Sequence, residues 1–171
     1  MLLINRFIKL IEDHAESLSL QWVEEVRTNS LTSGYSKLSR KELHDNVFDR
    51  FRRLGTWVAR QENIDKDIAM DFCRMGEEKS CSEIKSSEMV YALILERDML
   101  FTYVKEQGII TEGIDLNRAI QFGEQLNFFY DKAIYFALVG YEKASCKTAG
   151  DGGENEFQKT MEGFKRWFIR E

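Results

Sequence analysis

Proline is absent from all 171 residues, where average usage near 5% would supply about eight. Because proline breaks helices and populates turns, its absence fits long helices joined by short links. Cysteine is scarce. Cys73, Cys81 and Cys146 form an odd set without CxxC spacing, which argues against a disulfide framework or a cysteine zinc site. A reducing cytoplasm is the expected setting. Histidine occurs only as His14 and His44, and the residues three before them, Ile11 and Lys41, do not make the Glu-x-x-His steps of a di-iron bundle. HExxH, P-loop, Rossmann, GxSxG and kinase signatures are all missing. The net charge of −5 is built from mixed signs, so no broad basic surface exists and nucleic acid is not an expected partner.

Long hydrophobic runs are missing too. The longest apolar one, Ala133–Tyr141, is far below the roughly 20 residues that span a bilayer. The opening MLLINRFIKLIEDHAE gains charge at Arg6, Lys9, Glu12 and Asp13 and has no small-residue cleavage site, so neither a signal peptide nor a membrane span is expected.

What the chain does have is helical periodicity. Residues 2–28 predict one amphipathic helix, with Leu3, Phe7, Leu10, Ile11, His14, Leu18, Trp22 and Val26 on one face. The stretch 29–39 has loop composition, with Tyr35 and Leu38 placed to pin it to the core. Ser39 and Glu42 have capping-box spacing. The helix they open carries Leu43, Val47, Phe48, Phe51, Leu54, Trp57 and Val58 inward and Asp49, Arg50, Arg52, Arg53 and Arg60 outward, ending near 61–63. A shorter helix over 65–79 and a polar link, 77–87, follow.

The centre of the chain is SSEMVYALILERDMLFTYVKEQG, a helix expected from Ser86 or Ser87 to Gln107, stopped by Gly108. Its apolar surface is wide, which suits a helix surrounded by others. Arg97 falls on the apolar stripe, one turn from Leu93, Ile94 and Phe101. It must snorkel to water or meet an acidic group, a carbonyl or an anionic ligand. Glu96, Arg97 and Asp98 are therefore the candidate ligand-binding residues, with an ordinary ion pair as the plain alternative. His14, on its own apolar stripe, is the other position a ligand or cofactor would use. A lone histidine there is more often a packing residue.

A last core helix is expected from a cap at Asp115 to Ser145, with Leu116, Ile120, Phe122, Leu126, Phe129, Tyr130, Ala133, Ile134, Phe136, Ala137 and Tyr141 apolar. Residues 146–155 read as a flexible linker. In 156–171, Phe157, Met161, Phe164, Trp167 and Phe168 share one face of an amphipathic helix, the candidate interaction surface. No catalytic pair or nucleophile can be placed, and Cys73 beside Phe72 and Met75 reads as an inert buried thiol. Catalysis, a metal and a cofactor are not expected.

QWVEEVR with Trp22, YSKLSRKEL at Tyr35–Leu43 and the ALILERDMLFTYV helix resemble the N-terminal sensory domain of RsbRD-type RsbT co-antagonists, sensor proteins of the bacterial stressosome. The resemblance covers roughly residues 7–145. It implies an all-α sensory domain, related to haem-free globin-like folds, that dimerises and passes a signal to an output module. The expected architecture is an antiparallel bundle of five main helices over 1–145 plus a short C-terminal amphipathic helix. A STAS domain or kinase is what the family pattern places after such a domain; here the linker and aromatic tail stand instead. The expected function is thus a non-catalytic cytoplasmic sensor that signals by binding another protein, a kinase or STAS protein, as a homodimer. The alternative is a bundle binding a small ligand or cofactor near Arg97 or His14.

Overall fold

The computed structural model describes residues 2–58, 66–107 and 113–147. It is all-α, as expected, with no strand among the described residues. The helices are α1 (Leu2–Asp13), α2 (Ala15–Thr28), a 3₁₀ segment (Ser30–Lys37), α3 (Arg40–Arg52), α4 (Leu54–Val58), α5 (Lys66–Cys81), α6 (Ser86–Glu106) and α7 (Gly113–Lys147). The end of the second expected helix, the Gly108 cap, the linker beyond residue 147 and the tail lie outside the described residues.

Two expected helices are each broken once. Residues 2–28 divide at His14, whose N–H is shared between the carbonyls of Leu10 and Ile11, both at 3.2 Å. That tightening turns the stripe, so Ala15, Leu18, Ser19, Trp22 and Val26 are buried while His14 is exposed. His14 does not lie on the core face, and its Nδ1 is 2.9 Å from the Leu10 carbonyl. The helix opened at Ser39 breaks at Arg53, where φ is −109° and ψ 10°. Ser39 does sit at the N-cap, but its side chain makes no capping bond, so the capping box is not formed. α7 begins before Asp115, and Leu116 and Ile120 are exposed rather than inward.

α7 packs most extensively on α5, then on α6. Gly76 and Gly140 are the reason the α5 contact is so close. A Cβ at Gly76 would stand 1.9 Å from the Ala137 carbonyl oxygen, and one at Gly140 would stand 1.9 Å from that of Cys73. The two backbones touch there, which only glycine permits. In the core Phe7, Phe51, Phe122, Phe136, Met89 and Leu100 are fully buried, each contributing about 1.5–3 kcal/mol by leaving water. Trp22 fixes α2 to α6 by donating its indole N–H to the Ala92 carbonyl at 3.1 Å.

The stretch expected as a loop, 29–39, is an ordered bracket on α6. Tyr35 is buried and Leu38 packs on the core, as anticipated. The Glu88 carboxylate accepts bonds from the Gly34 N–H at 2.9 Å and the Ser33 hydroxyl at 3.0 Å. Its other oxygen accepts from the Lys85 N–H at 3.0 Å, closing the first turn of α6. The α5–α6 link is equally closed. Ser82 and Ile84 both donate to the Lys79 carbonyl, Glu83 adopts φ 58° to allow it, and Ile84 is fully buried.

Candidate functional site

The charged belt of α6 is arranged one residue away from where its apolar pattern puts it. The buried positions of this helix are Glu88, Met89, Ala92, Leu93, Glu96, Leu100 and Val104. Glu96 is therefore the charge inside the core, with its side chain 1% exposed. Arg97 lies at the edge, 24% exposed, with Nε 3.2 Å from Asp98 and Nη1 3.9 Å from Asp131. Arg97 is thus held at the surface by two exposed carboxylates, and Asp98 points away from the core with it.

The partner of Glu96 is Arg50 of α3, a residue expected on the solvent face. Its guanidinium grips the carboxylate with two hydrogen bonds, Nε to Oε2 at 3.1 Å and Nη2 to Oε1. The Tyr130 hydroxyl of α7 donates to the same Oε2 at 3.4 Å, so three helices meet on one carboxylate. Burial pushes the Glu96 carboxyl up, against the pull of Arg50. Burial alone would lower the Arg50 guanidinium, but the carboxylate outweighs it and holds it above its ordinary value. Lys79 of α5, 5% exposed and 5.7 Å above the Tyr35 ring, is pulled down by burial. The space beside these groups is about 20 Å³, room for one water. That space is too small for a carboxylate or phosphate ligand; on its other side Arg50 borders a separate cleft of about 330 Å³ with Arg53, Arg74, Asp49, Asp71 and Glu78.

Arg50, expected on the solvent face, carried a signal for its inward setting, and so did Glu96. Glu96 stands three after Leu93 and four before Leu100, and Arg50 three after Val47 and four before Leu54. Each sits where a neighbouring turn on both sides is apolar, the same criterion that singled out Arg97.

A larger cavity lies elsewhere, a groove of about 560 Å³ between α4, α5 and α7. Trp57, Phe72, Phe128, Phe129 and Phe136 line it, with Ile68 and Val58 between them. Trp57, Phe72 and Phe129 form a mutual aromatic cluster, with ring centroids 5.8–5.9 Å apart. One cation enters the wall: Lys132 Nζ stands 3.3 Å from the centroid of the Phe128 ring. Burial pulls the Lys132 amine down to about 8. Gln121, Glu124 and Gln125 supply a polar rim. The volume and the ratio of apolar wall to few polar groups are those of binding sites generally.

Among the described residues no group of three or more His, Cys, Asp or Glu could hold a metal ion, and no helix is long and apolar enough to cross a membrane. Cys73 is buried and its thiol is pushed up to about 11 by burial and Glu77, the setting of an unreactive thiol. The expected interaction residues Phe157, Met161, Phe164, Trp167 and Phe168 lie outside the described residues. No protein-family model, curated protein or solved structure matches the chain.

Proposed function

We propose that the chain is a non-catalytic cytoplasmic sensory or regulatory domain that acts through protein contacts. This is the role implied by its resemblance to the sensory domain of RsbRD-type co-antagonists. In this reading its helices form an antiparallel bundle of five main helices in a haem-free globin-like arrangement. It works as a homodimer with a kinase or STAS protein as partner. The observation that carries the reading is the groove between α4, α5 and α7. It presents aromatic rings beside a polar rim, the make-up of a surface that takes an apolar helix face.

Phe128, 41% exposed on the groove wall, is the residue to change. A Phe128→Glu chain should keep its helical signal and lose binding to purified kinases and STAS proteins titrated by calorimetry. Equal binding by both chains, or none by the parent, would refute the reading. A second reading, an apolar small ligand with an anionic head near Lys132, is favoured by the groove's volume. Native mass and visible absorption of the purified protein test it directly.

A further inference from the structure

We infer that the cleft of about 330 Å³ between α3–α4 and α5 is a binding site for a free α-amino acid with an apolar side chain. The inference goes beyond partner binding and does not depend on what occupies the groove between α4, α5 and α7. The cleft exists because the helices that face each other across it pack elsewhere. α3 rests on α1 and α2, and α5 on α6 and α7. Asn46, Arg50 and Arg53 follow one another at steps of four and three, and Asp71, Arg74 and Glu78 at three and four. Each wall is therefore one face of its helix.

The two walls carry opposite charge. On the α3–α4 side Arg50 and Arg53 stand against Asp49, and on the α5 side Arg74 stands against Asp71 and Glu78. Ion pairs stay within each wall. Arg53 holds Asp49 at 3.1 Å and Arg74 holds Asp71 at 3.7 Å, and none among the described residues crosses the cleft, which leaves Glu78 without one. Glu96 neutralises Arg50 from behind, but Lys79 restores the positive excess on that side. Arg50, Lys79 and Glu96 are the charged lining of the small space behind the cleft, and Asn46, Arg50 and Met75 line both spaces. Glu96 takes two of the guanidinium N–H groups and leaves the others for a second carboxylate.

A simple anion in this cleft meets Asp49, Asp71 and Glu78, and a simple cation meets Arg50, Arg53 and Arg74. A zwitterion satisfies both walls, with its carboxylate on Arg50 and Arg53 and its ammonium on Glu78. Trp57, Phe72 and Met75 line the same cleft and give an apolar side chain its wall. The volume stands at the lower end of the roughly 300–1,000 Å³ of ligand sites, which suits one amino acid and not a peptide. Recruiting Arg53 displaces only its exposed pair with Asp49, an interaction of little worth in water.

The test is calorimetric titration of the full chain with leucine, methionine and phenylalanine, then with the deaminated and the decarboxylated analogue of the best binder. At least one amino acid should bind with a dissociation constant below about 1 mM, and each analogue should bind at least about ten-fold more weakly. Glu78→Gln and Arg53→Gln change exposed side chains, so both chains should melt with the parent, and each should bind the amino acid about five-fold more weakly or worse. Glu78→Gln should also narrow the gap between the amino acid and its deaminated analogue, which a general loosening of the fold does not do. No binding by any of the three, or equal binding of the best amino acid and either analogue, would overturn the inference. Inorganic phosphate binding more tightly than the amino acids would overturn it in favour of an anion site. Full affinity in both variants would overturn it by placing the ligand outside the cleft.

Discussion

Removing one member of the Arg50–Glu96 pair should cost far more than removing both. Glu96 is 1% exposed and Arg50 13%, so water cannot replace a missing partner. Glu96→Leu leaves the guanidinium buried beside Lys79, which burial already pulls down. That single change should cost about 3–5 kcal/mol, a large share of the roughly 5–15 kcal/mol that stabilises a domain. Arg50→Met leaves the carboxylate with the Tyr130 hydroxyl at 3.4 Å and with Lys79 lining the same small space. Its cost should be smaller, about 2–4 kcal/mol. The double change replaces the pair with apolar side chains of similar volume and should fall within about 1 kcal/mol of the parent. The coupling between the sites is then at least about 4 kcal/mol. Urea unfolding followed by circular dichroism measures all four corners of the cycle, with a constant slope against denaturant confirming a common unfolded state. Single changes costing under about 1 kcal/mol, or a double change equal to their sum, would refute the account of a desolvated pair.

Gly140→Ala should destabilise by at least about 2 kcal/mol, because its Cβ would meet the backbone oxygen of Cys73 rather than a yielding side chain; an unchanged melting temperature refutes this. Glu88 titrates below the ordinary 4.5, since the N–H groups of Gly34 and Lys85 and the Ser33 hydroxyl outweigh the upward push of burial. A carboxyl depressed in the folded state stabilises above its unfolded value and loses that contribution as pH falls through the folded one. The parent should therefore lose more stability than Glu88→Gln below about pH 4.5, and equal acid profiles would refute it. A thiol reagent at pH 8 should label exposed Cys81 well before Cys73, whose thiol is pushed up to about 11; peptide mapping of the adducts decides.

The helix positions were legible because apolar spacing survives packing. α6 runs Ser86–Glu106 and α5 Lys66–Cys81, each within a few residues of where capping signals and periodicity place them. The breaks were not legible. At His14 no proline or glycine interrupts the pattern, and near Arg53 the single local sign is Gly55, two residues on. The α5–α7 seam was hidden for a different reason. Gly76 and Gly140 look like weak points in helices, and they become assets only when two backbones meet across them.

The belt on α6 shows where a single-helix reading stops. Adjacent residues on a helix differ by about 100° in direction, so a wide apolar surface leaves Glu96 and Arg97 almost equally placed. Leu93 serves both, and the choice falls on whether Leu100 or Phe101 faces the core. Leu100 is fully enclosed and Phe101 only half-buried, a difference set by α7 and not by α6. What decides is the partner another helix can present. Only a cation on an apolar edge satisfies a buried carboxylate without leaving a second charge stranded. Arg50, between Val47 and Leu54, is such a cation, whereas the neighbouring Arg52 and Arg53 are exposed. Asking of every helix at once which charges stand a turn from apolar residues on both sides returns Glu96 and Arg50 as well as Arg97, and the opposite charges of Glu96 and Arg50 on two different helices supply the pair. The site is thus a property of two helices, and neither sequence alone contains it.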